Sequence, residues 1–149
     1  MPSLCDVNFL LSLCHGQHQH HSIAKTRLSE ITPPGQLVVC RASQLGLLRL
    51  LSNPAVMKES VCTTDSVWQV YDTMMSDDRF IYRDEPAGLQ AKLREFTKGF
   101  PFSPKLWQDA YLAAFAVCSG QSFLTFDHGF DKFPGLRPEI LEVPQDRAR

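Results

Sequence analysis

No two cysteines in this chain of 149 residues stand in a C-x-x-C pair, so the common kind of structural zinc site has no ligands here. The five that exist, Cys5, Cys14, Cys40, Cys62 and Cys118, are odd in number, widely spread and mostly inside apolar segments, the pattern of reduced thiols rather than a disulfide scaffold. An excess of one charge is missing too. Fifteen Lys and Arg against 16 Asp and Glu leave a net charge of -1, which does not advertise a nucleic-acid binder, although a local basic rim is still allowed. No apolar run approaches the ~20 residues of a membrane span, and no signal peptide precedes Ser3, so a soluble cytoplasmic protein is expected. Repeats and low-complexity tracts are absent. The length suits one domain, expected over 1–143, with a charged tail at 144–149.

What is present alternates between short apolar strands and helical periodicity. Leu4-Cys5 ends in Asp6 and turns directly into a helix over 8–13. Helices are further expected over 18–31, 43–52, 64–75, 86–98 and 105–119, and strands over 36–40, 80–82, 122–126 and near 137–141. Leucines at 45, 47, 48, 50 and 51 make the 43–52 helix apolar on nearly every side, so the domain or a partner chain must cover it. In the 64–75 helix, Val67, Trp68, Val70, Tyr71 and Met74 are expected to face inward. Pro86 suits the first turn of its helix, and Gly99 the position past its end. The alternation predicts a three-layer α/β/α sandwich on a mainly parallel sheet of about five strands.

Asp6 lies where an open α/β sheet binds ligands, beyond the carboxyl end of a strand. It can cap the following helix, face a ligand, or do both. Asp127 follows its own strand in the same way, and Asp109 lies early in the 105–119 helix. Two carboxylates ~5 Å apart at an effective dielectric of ~20 repel by roughly 3 kcal/mol, so a cluster of them needs a cation or shifted pKa values. Oxygen ligands suit Mg²⁺ or Mn²⁺, which can polarise a phosphodiester and activate a water. Asp131 is a reserve ligand. Arg49, on an apolar helix, calls for a carboxylate or phosphate partner, and lies about 140° around the helix from Gln44. His15, His18, His20 and His21 read as an exposed turn rather than a transition-metal site, and His128 as a turn residue able to face a phosphate. Trp68 and Trp107 read as core or interface anchors.

The ensemble of Leu4-Cys5-Asp6-Val7-Asn8, the stretch from Gln44 through Gly46 and Arg49 to Asn53-Pro54, Trp107-Gln108-Asp109-Ala110, and Leu124-Thr125-Phe126-Asp127-His128-Gly129 resembles the PIN-domain family. Within it the sequence is most similar to VapC-type toxins, over nearly the whole chain. The resemblance implies an Mg²⁺- or Mn²⁺-dependent endoribonuclease acting on RNA, held inactive by a cognate antitoxin and expected to be a homodimer. It also implies that Asp6, Asp109 and Asp127 bind the metal and that Thr125 and Asn8 stand beside it; Arg49 and His128 are then the candidates for reaching the substrate. One position departs from the family pattern: the usual acid early in the third helix is the neutral Gln44, which weakens metal binding. That departure keeps a second reading open, a PIN-fold module that binds RNA or protein and cuts weakly or not at all. The antitoxin would wrap the helix around 45–51 and insert a basic side chain among the acids. A phosphatase or DNA nuclease using the same acids is a further alternative.

Overall fold

The computed structural model describes residues 1–101 and 103–143. The expected charged tail at 144–149 lies outside the described residues. In chain order the elements are β1 Ser3–Cys5, α1 Val7–Cys14, α2 His21–Ser29, β2 Leu37–Val39, α3 Arg41–Leu51, α4 Pro54–Met57, α5 Thr64–Met75, β3 Phe80–Tyr82, α6 Leu89–Thr97, α7 Pro104–Cys118, β4 Ser122–Thr125 and β5 Pro138–Ile140. Two 3₁₀ turns, Lys58–Ser60 and His128–Lys132, supplement them. The strands form one sheet in the order β3-β2-β1-β4-β5, and every pairing is parallel.

Parallel strands are buried on both faces, which is why these runs are continuously apolar. Side chains alternate across the sheet with period two. Leu4, Val38 and Phe123 therefore point to one side and pack with α6 and α7 through Phe96, Leu112 and Phe115. Cys5, Leu37, Val39 and Leu124 point to the other and meet α1, α3 and α5 through Phe9, Leu47 and Val67. Each of these large side chains contributes roughly 1.5–3 kcal/mol by leaving water. The result is the expected three-layer sandwich. β1 is the centre, with β2 on one side and β4 on the other, so the chain reverses its direction of travel across the sheet at β1. That switch opens a crevice beyond the carboxyl end of β1, where Asp6 stands.

Several boundaries differ from the sequence reading for identifiable reasons. α2 begins at His21 because residues 16–20 form turns in which His18 Nδ1 accepts the His20 N–H at 3.0 Å. α6 begins at Leu89 and not near Pro86, because Gly88 adopts φ +82°, which ends any helix before it. Trp68 is 49% exposed and Trp107 60% exposed, so neither is a core anchor. The domain covers Leu47 and Leu51 of α3 but leaves Leu45 57% exposed, so α3 is not wrapped on all sides. All five cysteines are free thiols. Among the described residues no helix is long and apolar enough to cross a membrane.

α3 lies close to α1 because Gly46 has no side chain: a Cβ there would stand 2.6 Å from Val7 Cγ2. Gly46→Ala should therefore destabilise the fold by about 1–3 kcal/mol through overpacking, despite the better helix propensity of alanine. Urea unfolding checks this, and Val7→Ala in the same chain should recover part of the loss; a more stable single variant would mean that the helices separate freely.

Candidate active site at the carboxyl edge of the sheet

Asp6 ends β1 and begins α1. Its backbone N–H continues the sheet ladder to Leu124 O at 2.9 Å, while its Oδ1 accepts the Val7 N–H at 2.7 Å as the α1 cap. The other oxygen, Oδ2, accepts the Thr125 hydroxyl at 2.6 Å. Thr125 is fully buried, and its Oγ1 in turn accepts the Asp127 N–H at 2.9 Å and an N–H of the Asn8 amide at 3.4 Å. Asn8 Oδ1 accepts the Phe126 N–H at 3.2 Å, tying the start of α1 to the end of β4 a second time. Period two places Asp6 and Thr125 on the α7 side of the sheet, toward Asp109.

The acids feel one another. The Asp6 carboxyl is raised to about 6: burial pushes it up most, the hydrogen bonds from Thr125 and Val7 oppose the rise, and the nearby charges of Asp109 and Asp127 add to it. Asp109, half-buried on α7, is also raised, first by burial and then by Asp127, against the opposing pull of Lys105 and Lys132. Asp127 goes the other way. Its Oδ1 accepts the Gly129 N–H at 2.8 Å and its Oδ2 the Lys105 ammonium at 3.1 Å, and both hold it below the usual carboxylate range. Lys105 precedes Asp109 by one helical turn, which places both on one face of α7. It is the cation paired with the cluster, and its side chain is exposed.

The remaining sequence candidates lie outside this network. Gln44 is buried, its Oε1 accepts from Arg41 Nη1 at 2.5 Å, and its side chain lies near the Tyr71 hydroxyl. Arg49 is exposed beside Leu45, Leu48 and Trp68, and of the two kinds of partner expected for it, a carboxylate or a phosphate, the described residues supply no carboxylate. His128 is exposed and faces Glu142 at 3.7 Å, and Asp131 is exposed on the same turn. His21 Nδ1 bonds Ser12 O at 2.7 Å and His20 stacks on Phe126 at 4.8 Å, so these histidines shape the turn before α2. Sequence reading missed Lys105, Lys132 and Arg41. The only signal for Lys105 was its spacing of one turn from Asp109.

A hard divalent cation suits this donor set in its chemistry: carboxylate, amide and hydroxyl oxygens with no sulfur. In the present side-chain positions, among the described residues no three His, Cys, Asp or Glu side chains close around one point that could hold a metal ion. Asp6, Asp109 and Asp127 are the carboxylates that would have to close.

Sheet order, switch point and acids at the strand ends together define a PIN-domain protein. No family model matches the chain. It is 38% identical over 142 residues to ribonuclease VapC41 of Mycobacterium tuberculosis, across 93% of this chain and 97% of that protein. The chain belongs to the VapC ribonuclease family. Its fold is similar to that of VapBC2 from Rickettsia felis bound to a promoter DNA fragment, with a TM-score of 0.67 and 14% identity over 95% of this chain and all of that one. DNA-bound VapBC from Salmonella typhimurium also gives 0.67, at 16% identity over 95% and 99% of the two chains. The sarcin-ricin loop cleaving toxin VapC20 of Mycobacterium tuberculosis gives 0.60, at 19% identity over 91% and 98%.

The raised Asp6 pKa carries a stability consequence. Between its ordinary 3.8 and about 6 the folded protein keeps a proton that the unfolded chain has lost, so stability falls as pH rises through that window. Between about pH 4 and pH 7.5 the metal-free wild type should therefore lose about 1–3 kcal/mol of stability relative to Asp6→Asn, which cannot titrate at this position. Chemical unfolding of both proteins at the two pH values checks it; a difference between them that does not change with pH would mean that the Asp6 carboxyl is not raised.

Proposed function

We propose that this protein is a metal-dependent endoribonuclease and the toxin of a toxin–antitoxin pair, working in the cytoplasm. One observation carries the reading: a buried carboxylate at the switch point of the sheet, raised in pKa by its burial and lying near enough to Asp109 and Asp127, from distant parts of the chain, for their charges to add to the rise. The name of the relative supports the substrate, RNA. Mg²⁺ or Mn²⁺, held by Asp6, Asp109 and Asp127, would polarise a phosphodiester and supply an activated water. Everything else falls to the chain itself. Thr125 fixes one Asp6 oxygen and Asn8 fixes the turn that follows, so the carboxylate is presented in one orientation. Lys105 neutralises part of the crowded negative charge and can swing out toward a phosphate. Lys132 adds positive potential near Asp109 and Asp127.

Neighbouring structures of VapBC and of a toxin-antitoxin complex from Klebsiella pneumoniae support an antitoxin as partner. The face left uncovered by the domain suits it: Leu45 and Trp68, with Leu48 and Arg49, line a groove of about 310 Å³. A homodimer is part of the same reading, as is a single domain over 1–143.

A second reading has its own support. With Gln44 neutral and its oxygen engaged by Arg41, and the acids not closed around one point, the chain can bind RNA without cutting it. One assay separates the two. Wild-type protein should cut single-stranded RNA with Mg²⁺ or Mn²⁺ and not with a chelator present, and Asp6→Asn and Asp109→Asn should each lose at least about 100-fold in rate, the scale of removing one charge-stabilising group. RNA bound but left whole in every metal would favour the binding module, and equal cleavage by all three proteins would remove the nuclease assignment.

A further inference from the structure

The first turn of α3 carries a cation that the acid cluster does not use. Arg41 is exposed, yet it is held on two sides: its guanidinium lies 5.0 Å from the centre of the Tyr82 ring, and its Nη1 donates to Gln44 Oε1. Gln44 is itself buried, so this support is held in place by the packing around it. Arg27 and Arg79 show the usual alternative, each pairing with a carboxylate, Glu139 and Asp77 respectively. Among the described residues Arg41 has no such partner. A guanidinium presents five N–H donors in a planar fork matched to phosphate, and Gln44 takes one of them.

Strand register fixes where this cation stands. Leu4 pairs with Val38 and Val39 pairs with Tyr82. Two residues beyond the Leu4–Val38 pair, the same register brings Asp6 level with Cys40, the residue before Arg41. Adjacent strands are about 4.8 Å apart, so Tyr82 on β3 is roughly 10 Å from β1 along the same carboxyl edge. Asp6 faces the α7 side of that edge, and Tyr82 packs on the α3 and α5 side. A polyanion reaching from the acids to Arg41 must cross the strand ends.

The geometry points to Arg41 as a phosphate-binding residue for RNA, gripping a phosphate next to the one that is cut. The assignment rests on the ribonuclease reading. It also gives the neutral Gln44 a purpose. A carboxylate at 44 would pair with the guanidinium and cancel its charge, whereas an amide orients it and leaves the charge for the substrate.

The test uses the full chain, a fluorescently labelled single-stranded oligoribonucleotide and anisotropy measured over a range of salt concentrations with the divalent metal chelated. Arg41→Gln should weaken binding about tenfold at low salt and lower the slope of log K against log salt by about 0.7, the signature of one lost single-strand phosphate contact. Arg41→Lys should restore the slope and only part of the affinity, because the charge remains without the fork. Gln44→Glu should weaken binding although Arg41 is still there. A change in folding alone would not move the salt slope. Unchanged affinity and slope in Arg41→Gln overturn the assignment; if the wild type still cuts RNA in its metal, the nuclease reading survives that failure. RNA neither bound nor cut by the wild type would remove both.

Discussion

The hydrogen bond from Thr125 to Asp6 joins the end of β4 to the end of β1 inside the protein, and the edge of the sheet is built around it. A carboxylate that is almost fully buried loses most of its hydration and survives only if its lone pairs are satisfied. Asp6 satisfies one oxygen with the first N–H of α1 and the other with a hydroxyl from the neighbouring strand. The same residue therefore caps a helix, locks two strands in register and keeps a negative charge at the mouth of the crevice. Replacing Thr125 by an apolar residue would remove a donor to Asp6 and an acceptor for the Asp127 N–H at once.

Around that bond the protein gathers more negative charge than the site can hold comfortably. Asp6 and Asp109 are raised in pKa, mainly by burial and further by their acidic neighbours, and Asp127 is held low by a backbone N–H and by Lys105. The lysine works from the end of a flexible, exposed side chain, so it compensates the acids without blocking them. A bound divalent ion would do the same task more strongly, and a basic side chain from a partner would do it in the lysine's manner. The crowding is thus relieved from outside the core, by whichever cation arrives.

Much of this was legible in the sequence. Alternating apolar runs and helical periodicity gave the layers and the parallel sheet, and Asp6 and Asp127 were visible because each directly follows a strand. Asp109 needed the family resemblance, since an acid two turns into a helix is unremarkable by pattern alone. Partnerships that join distant stretches of chain were not legible. Nothing local says that Arg41 would lie over Tyr82, some forty residues away, or that Arg49, on the same helix, would find no carboxylate among the described residues. Trp68 read as core because helical spacing counts apolar residues without knowing that Val67 and Tyr71 already fill the space beneath α5. The start of α6 was misjudged because Pro86 is a good opening residue only where the next residues stay right-handed, and Gly88 does not.

The two outer strands, β3 and β5, are three residues long, and β5 starts with a proline. So short a border exposes too few unpaired amide and carbonyl groups to recruit another chain by extending the sheet, and proline removes one of those amides altogether. Self-association and recognition of other proteins are thereby left to side chains on the helices. A molecule built in this way has little tendency to stack edge to edge into aggregates.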